Sequence, residues 1–202
     1  MLPSHLTSGA SAEEPATESS TIVIRRAEAT EADARLLADL GATLFADAFG
    51  AMNAPDDLQL FLAKTYSPEL QRAELRDRDR AAWIAEAQGQ ACGYALLRRG
   101  ARSAAVTADS PAELQRIYTG RAWHGRGVGE ALVRACIGQA RAWNCDAVWL
   151  GVWEQNPRAI AFYEKWGFRR VGAQHFVVGT DSQRDYVMAL ELSNAEPERR
   201  HR

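Results

Sequence analysis

Several absences narrow what this 202-residue chain can be. Its three cysteines (Cys92, Cys136, Cys145) are odd in number and fall at no spacing that would pair them or ligate a metal. The four histidines (His5, His124, His175, His201) are scattered, so no metal site is expected. No apolar run approaches the roughly 18 residues that a membrane span needs. The opening MLPSHLTSGASAEEPATESS lacks the basic start and apolar centre of a secretory signal. A large excess of either charge is missing too: the net charge is −2, which gives no reason to expect nucleic acid as a partner. The expectation is a protein of a reduced, cytoplasmic setting, with no membrane and no nucleic-acid partner.

What is present suits one core. Hydrophobic residues make up 47% of the chain, enough for a single sizeable domain. Residues 1–20 are rich in Ser, Thr, Ala, Glu and Pro and read as a disordered N-terminal tail; SNAEPERRHR (193–202) reads as a C-terminal one. The domain is then 21–192. TIVIRRA (21–27) has the β-branched content of a first strand. Thr30 is placed to cap a helix, with Asp33 at the capping-box position and Leu36, Leu37, Leu40 and Leu44 on its inner face. Pro55 opens a second helix, with Leu58, Phe61, Leu62 and Tyr66 inward, and Ser67-Pro68 opens a third, read as exposed through residue 79. Residues 81–87 and 91–98 flank Gln88-Gly89-Gln90 as a hairpin. ELQRIYT (113–119) is a strand, 127–142 a helix, and the apolar AVWLGV (147–152) a strand buried on both faces. Asn156-Pro157 caps and opens a helix that stops near Gly167. Three last strands are read at 168–172, 175–179 and 184–192. Strands early, strand–helix units in the middle and strands late predict a mixed α/β sheet.

The informative stretch is ELQRIYTGRAWHGRGVGE (113–130). Gly125, Gly127 and Gly129 alternate just before a helix, where bare backbone N–H groups and the positive end of the helix dipole make a cradle for a phosphate-type anion. A dinucleotide fingerprint is a poor match, since Glu130 stands where its third glycine belongs and Asp146 precedes its strand where a ribose acid should follow one. A P-loop also fails, because no Lys-Ser or Lys-Thr follows these glycines. Charge divides along the chain. Residues 31–70 hold seven acids and two bases, and residues 114–170 nine bases and four acids. That suits phosphates at the basic part and a cationic ligand at the acidic part near Asp47, Asp56 and Asp57; two solvated helix surfaces would give the same count.

HGRGVG (124–129) is similar to the Q/R-x-x-G-x-G/A motif of the GCN5-related N-acetyltransferases, with His124 standing where glutamine or arginine is usual. NPRAIAFYEKWGF (156–168) resembles that family's A-x-x-F-Y-x-x-x-G-F element. The two blocks come in the family's order, separated by a helix and an apolar strand. Within the family, the chain looks most like the bacterial spermidine/spermine N-acetyltransferases of the PaiA type. The resemblance implies a mostly antiparallel central sheet with helices on both faces, acetyl-CoA as cosubstrate, a small cationic amine as acceptor, and self-association as a dimer. It also implies that His124, Gly125, Arg126, Gly127, Val128, Gly129 and Glu130 surround the pyrophosphate. Backbone groups of Ile117, Tyr118 and Thr119 would pair with the pantetheine arm, and Asn156 and Ala159 would touch the cofactor.

The chemistry adds two side chains. An amine with a pKa of about 10.4 is neutral in only about one molecule in a thousand at pH 7, so a base is useful. Glu113, eleven residues before His124, matches the position of the base in histone-type relatives; ordered water alone is the alternative. The departing thiolate needs a proton, and Tyr163 in the A-x-x-F-Y match is the expected donor, besides lining the cofactor. Cys136 and Cys145 are read as core filler, and Trp149 and Trp153 as core. The expected activity is direct acetyl transfer to a primary amine, with spermidine or spermine as acceptor. Acetylation of a peptide, protein or antibiotic amine, or a non-enzymatic acetyl-CoA-binding regulatory module, are the alternatives.

Overall fold

The computed structural model describes residues 21–178 and 181–192; both expected tails lie outside the described residues. Seven strands form one sheet: β1 (Ile22–Arg26), β2 (Arg80–Ala87), β3 (Gln90–Arg99), β4 (Pro111–Thr119), β5 (Ala147–Trp153), β6 (Arg169–Val178) and β7 (Asp181–Glu191). The order across the sheet is β1-β2-β3-β4-β5-β7-β6, and every neighbouring pair is antiparallel except β4 with β5. Helices α1 (Glu31–Phe49), α2 (Pro55–Thr65) and α3 (Pro68–Arg76) cover one face, and α4 (Val128–Ala142) and α5 (Pro157–Lys165) the other.

The sheet's alternation feeds both cores. Along β2, Ala81, Trp83 and Ala85 join Leu132, Val133, Cys136 and Ala140 of α4, while Ala82 and Ile84 join Leu37, Leu44 and Phe45 of α1. This is why β2 and β5 read as unbroken apolar runs. The hairpin joining β2 to β3 turns on Gln88 (φ 53°) and Gly89 (φ 74°), the doubly left-handed geometry that matches strand twist.

Four expectations change. Asp33 does not return a capping bond to Thr30: Thr30 accepts from the Asp33 N–H at 3.2 Å, but the Asp33 carboxylate takes the Glu28 N–H and pairs with Arg25. The inner face of α1 is centred on Leu37, Gly41, Leu44 and Phe45, leaving Leu36 and Leu40 at its margin. Helix α3 is not simply exposed. Gln71 is buried, and Glu74 binds Arg116 through both oxygens (2.7 and 3.0 Å) and Arg80 at 2.8 Å. The expected strands at 168–172 and 175–179 are one strand, β6, with an extra residue at Val171. Gly172 is not a turn there; a Cβ on it would lie 2.4 Å from the Ala105 Cβ, so it admits the 100–110 loop against the sheet.

Asp146 has a structural task. Its carboxylate accepts from the N–H groups of Asp109 and Ser110 at 2.8 and 3.0 Å, fastening the loop before β4 to the start of β5. No described helix is long and apolar enough to cross a membrane.

Candidate active site

The parallel pair β4/β5 is bonded only at Pro111–Ala147, Ala112–Val148 and Glu113–Trp149. Beyond that rung the strands part, β4 staying with β3 and β5 with β7. An extra residue in β4, Gln115, marks the point of departure: Leu96 pairs with Arg116 and Leu97 with Leu114. Arg80 donates to the Gln115 side chain at 2.9 Å and Glu74 holds Arg116, so α3 and β2 fix the bulge from one side. The free edge of β4 beyond Glu113 then carries Ile117, Tyr118 and Thr119 into a cavity of about 730 Å³.

At one end of this cavity lies the glycine turn. Gly125 (φ 75°) and Gly127 (φ 87°) take a left-handed backbone that a side chain would strain. The N–H groups of Gly125, Gly127, Val128, Gly129 and Glu130 have no hydrogen-bond acceptor among the described residues, and no side chain caps α4. Five free donors at the start of a 15-residue helix form a site for a phosphate-type anion. Gly129 plays a different part from the other two. Its φ is not positive, and a Cβ there would rest 3.5 Å from the Phe162 ring, so it brings α5 close to α4. The buried Val128 side chain leaves only its N–H to serve, whereas Glu130 lines the cavity.

His124 braces the turn. Its Nδ1 accepts from Arg158 Nη1 at 2.8 Å, so its Nε2 carries the proton and donates to the Thr119 carbonyl at 3.1 Å. The ring links the end of β4 to the start of α5. Arg126 leans over the Trp123 ring at 5.5 Å and does not line the cavity; Arg121 and Arg158 do, which spacing alone did not reveal.

Tyr163 is 8% exposed, stacks edge-on against Phe162 and Phe168, and lines the cavity. Burial drives its ionisation far above that of an ordinary phenol, so it keeps its proton. Asn156 lines the same wall, with its side-chain oxygen accepting from the Ala159 N–H at 3.1 Å as the cap of α5. Ala159 lines it as well, its N–H already occupied.

Glu113 stands at the last β4/β5 rung and faces the cavity. Burial raises its carboxyl above the usual range, and Arg98, Arg80 and Arg116 pull it back in part. Tyr118 contributes a ring as well as backbone: it packs against Phe45, Phe49 and Tyr94. Of the three acids expected near an acceptor, Asp47 alone lines the cavity. Asp56 and Asp57 sit in the first turn of α2, where they complement its dipole. Trp149 is core, donating to the Ala101 carbonyl at 2.8 Å, but Trp153 lines the cavity. Cys136 and Cys145 are buried in the core, and burial pushes both thiols up.

A further acid of this cavity went unread in the sequence. Asp185 of β7 is 8% exposed, lines the cavity, and has neither hydrogen bond nor ion pair among the described residues. Burial pushes its carboxyl up to about 6. Its only signal was an acid at the polar start of a strand whose next residues, Tyr186 to Leu190, are apolar, and its place in the cavity depends on a β5/β7 register that no local signal gives.

With this geometry in view, the comparisons with known proteins agree. Residues 47–168 match the model of the acetyltransferase (GNAT) family. An uncharacterized N-acetyltransferase of Mycobacterium tuberculosis is 35% identical over 160 residues, covering 79% of this chain and 98% of that protein. Another, from Lactobacillus delbrueckii, is 31% identical over 148 residues, covering 73% of this chain and 86% of that protein. In fold, the chain is similar to the PaiA N-acetyltransferase of Thermoplasma acidophilum, solved with coenzyme A (TM-score 0.67, 19% identity, 85% of this chain and 99% of that one). The chain belongs to the GNAT family of N-acetyltransferases.

Two outcomes are expected. Gly127→Val puts a β-branched residue at φ 87° and should weaken acetyl-CoA binding by at least about tenfold in calorimetry; an unchanged Kd would dismiss the cradle. Asp185 is the second. Because its folded pKa is raised, its contribution to stability is greatest below the unfolded value near 3.8 and is lost as pH rises through about 6. Asp185→Asn should therefore stabilise the protein by about 1–3 kcal/mol at pH 8, a gain that fades toward pH 4. Thermal melts at both pH values would show it, and a variant no more stable than wild type at pH 8 would contradict the burial argument.

Proposed function

We propose that this acetyltransferase moves the acetyl group of acetyl-CoA directly to a primary amine of a small polycation, of the spermidine or spermine class. The observation that carries the reading is one cavity with an anion cradle at one end and carboxylates, Glu113 and Asp185, on a wall where an amine would enter. The aromatic rings of Phe45, Phe49, Phe61 and Tyr118 line that wall and suit an alkyl-ammonium chain. Acetyl-CoA supplies the activated acyl group. The free N–H groups from Gly125 to Glu130 take its pyrophosphate, with Arg121 and Arg158 beside them. The unpaired edge of β4 at Ile117, Tyr118 and Thr119 aligns the pantetheine arm and offers a backbone N–H to the thioester carbonyl. Glu113, raised by burial, accepts a proton from the incoming amine, directly or through water. Nitrogen forms its bond to the acetyl carbon, the carbon–sulfur bond breaks, and the Tyr163 hydroxyl gives its proton to the departing sulfur. The excess proton on the new amide nitrogen passes through water to the phenolate, and Glu113 releases its proton to solvent.

Thiol release from acetyl-CoA across an amine panel tests the reading. Spermidine and spermine should outpace a lysine peptide, an aminoglycoside and an aromatic amine. Faster turnover of a peptide or an aminoglycoside would discard the polyamine; bound acetyl-CoA with no release from any amine would discard transfer to these amines. Tyr163→Phe should lower kcat on the order of 100-fold while leaving acetyl-CoA affinity nearly unchanged. An unaltered kcat would remove the proton-donor role.

A further inference from the structure

The β7 wall of the cavity contains a built feature that transfer to a single nitrogen does not use. Strand register places it. Glu113 is opposite Trp149, and Asp185 is opposite Trp153, so the two acids project from the same face of the sheet. They are separated by four residues of β5, roughly 13 Å along the strand, and by the width of the fork. Glu113 therefore stands at the closed end of the fork, and Asp185 lies across the fork from the β4 edge, four residues toward its open end.

The seat of Asp185 is shaped around its carboxylate. Gly151 lies beneath it in β5; a Cβ there would be 3.1 Å from Asp185 Oδ2 and 2.8 Å from Gln174 Nε2. The absence of a side chain at 151 lets the acid and the amide of Gln174 lie over the strand. The neighbouring cation in sequence, Arg184, is engaged by Glu154 at 3.0 Å, and Arg170 lies over the Tyr186 ring at 3.5 Å. Among the described residues nothing neutralises Asp185. Nor do two further His, Cys, Asp or Glu side chains gather with it, as a metal ion would require. A largely buried carboxylate with no counter-charge, its oxygens open only to the cavity, suits a cationic hydrogen-bond donor from outside the protein. An ammonium group meets that demand.

We infer that Asp185, seated over Gly151 beside Gln174, anchors a second, cationic nitrogen of the acceptor, so that the enzyme selects molecules with two amines over those with one. This rests on the acetyl transfer proposed above and adds a residue and a rule to it. The nitrogen to be acetylated lies at the fork near Glu113 and Tyr163; the distal nitrogen stays protonated on Asp185. The alkyl chain between them runs along Tyr118, Phe61 and Phe176, where Phe61 and Phe176 already meet edge-on at 5.8 Å.

The test compares α,ω-diaminoalkanes with 1-aminoalkanes of matched length, from butyl to octyl. It is run on the wild-type protein, Asp185→Asn and Gly151→Ala, with thiol release as readout. The wild type should prefer the diamine by about tenfold or more in kcat/KM at one or more lengths. Asp185→Asn should reduce that preference to near unity by raising KM for the diamine with little change in kcat. Gly151→Ala, whose added methyl displaces the carboxylate, should move it in the same direction by less. Absence of any preference in the wild type, or a preference that survives Asp185→Asn, overturns the anchor and leaves the transferase reading standing. So does a loss of kcat shared equally by monoamines and diamines, which would make Asp185 a base. If no amine in either series is acetylated, the transfer reading itself fails for small amines. Calorimetry of 1,6-diaminohexane with the coenzyme A-saturated protein then decides the anchor alone: binding lost in Asp185→Asn supports it, and no binding to the wild type refutes it.

Discussion

Everything in the site depends on how β4 and β5 come apart. Three parallel rungs hold them together, and the fourth is prevented by the bulge at Gln115. A bulge in the middle of a sheet needs its extra residue and the turned backbone to be satisfied elsewhere. Here α3 supplies the anchor: Glu74 receives Arg116 in a two-pronged bond and Arg80 as well, while Arg80 also holds Gln115. The two halves of the sheet, β1 to β4 and β5-β7-β6, therefore diverge at Glu113 and leave a wedge of unpaired backbone. The glycine turn closes one mouth of the wedge; α1, α2 and the end of β6 line the other.

The fork is surrounded by polar groups of two kinds. Tyr66 and Tyr94 share a hydrogen bond at 3.1 Å beside Arg116, and burial raises the phenols of both, as it does that of Tyr118. Such a polar set is stable only when every member is satisfied, and here the guanidinium, the phenols and Glu74 satisfy one another. Asp185 and Glu113 differ. Each is raised by burial, and neither has a hydrogen-bonding or ion-pair partner among the described residues. The contrast separates polar groups that hold the fold from two acids whose proposed partner is the acceptor amine.

Much of the fold was legible because its signals are local. The Thr30, Ser67 and Asn156 caps, the turn at Gln88-Gly89 and the stop at Gly167 (φ 88°) each act within a few residues, and each falls at or next to its expected place. The misreadings share a cause in contacts distant along the chain. Gly172 looked like a break because its reason, Ala105, lies across the surface of the sheet. Helix α3 looked solvated because the partner of Glu74 is 42 residues away. Asp146, set aside as a ribose acid because it precedes its strand, has a task of the same distant kind: it takes the loop N–H groups of residues 109 and 110.

The same distinction divides the two ends of the cavity. A site for phosphate is made of backbone, so its requirements are written as glycines at positive φ and a helix start, within half a dozen consecutive residues. The amine site proposed above would be made of side chains from separate elements: Asp47 from α1, Glu113 from β4, Asp185 from β7, and rings from α1, α2 and β6, all lining one cavity. No window of sequence contains it, and the acidic surplus of residues 31–70 pointed to two aspartates that face elsewhere. Because the amine end is assembled by register, a one-residue slip of β7 against β5 would turn Asp185 to the opposite face and leave the cradle untouched. On the proposed reading, acceptor choice varies through the β5-β7-β6 half of the sheet, while the cofactor end, set by the turn before α4, stays as it is.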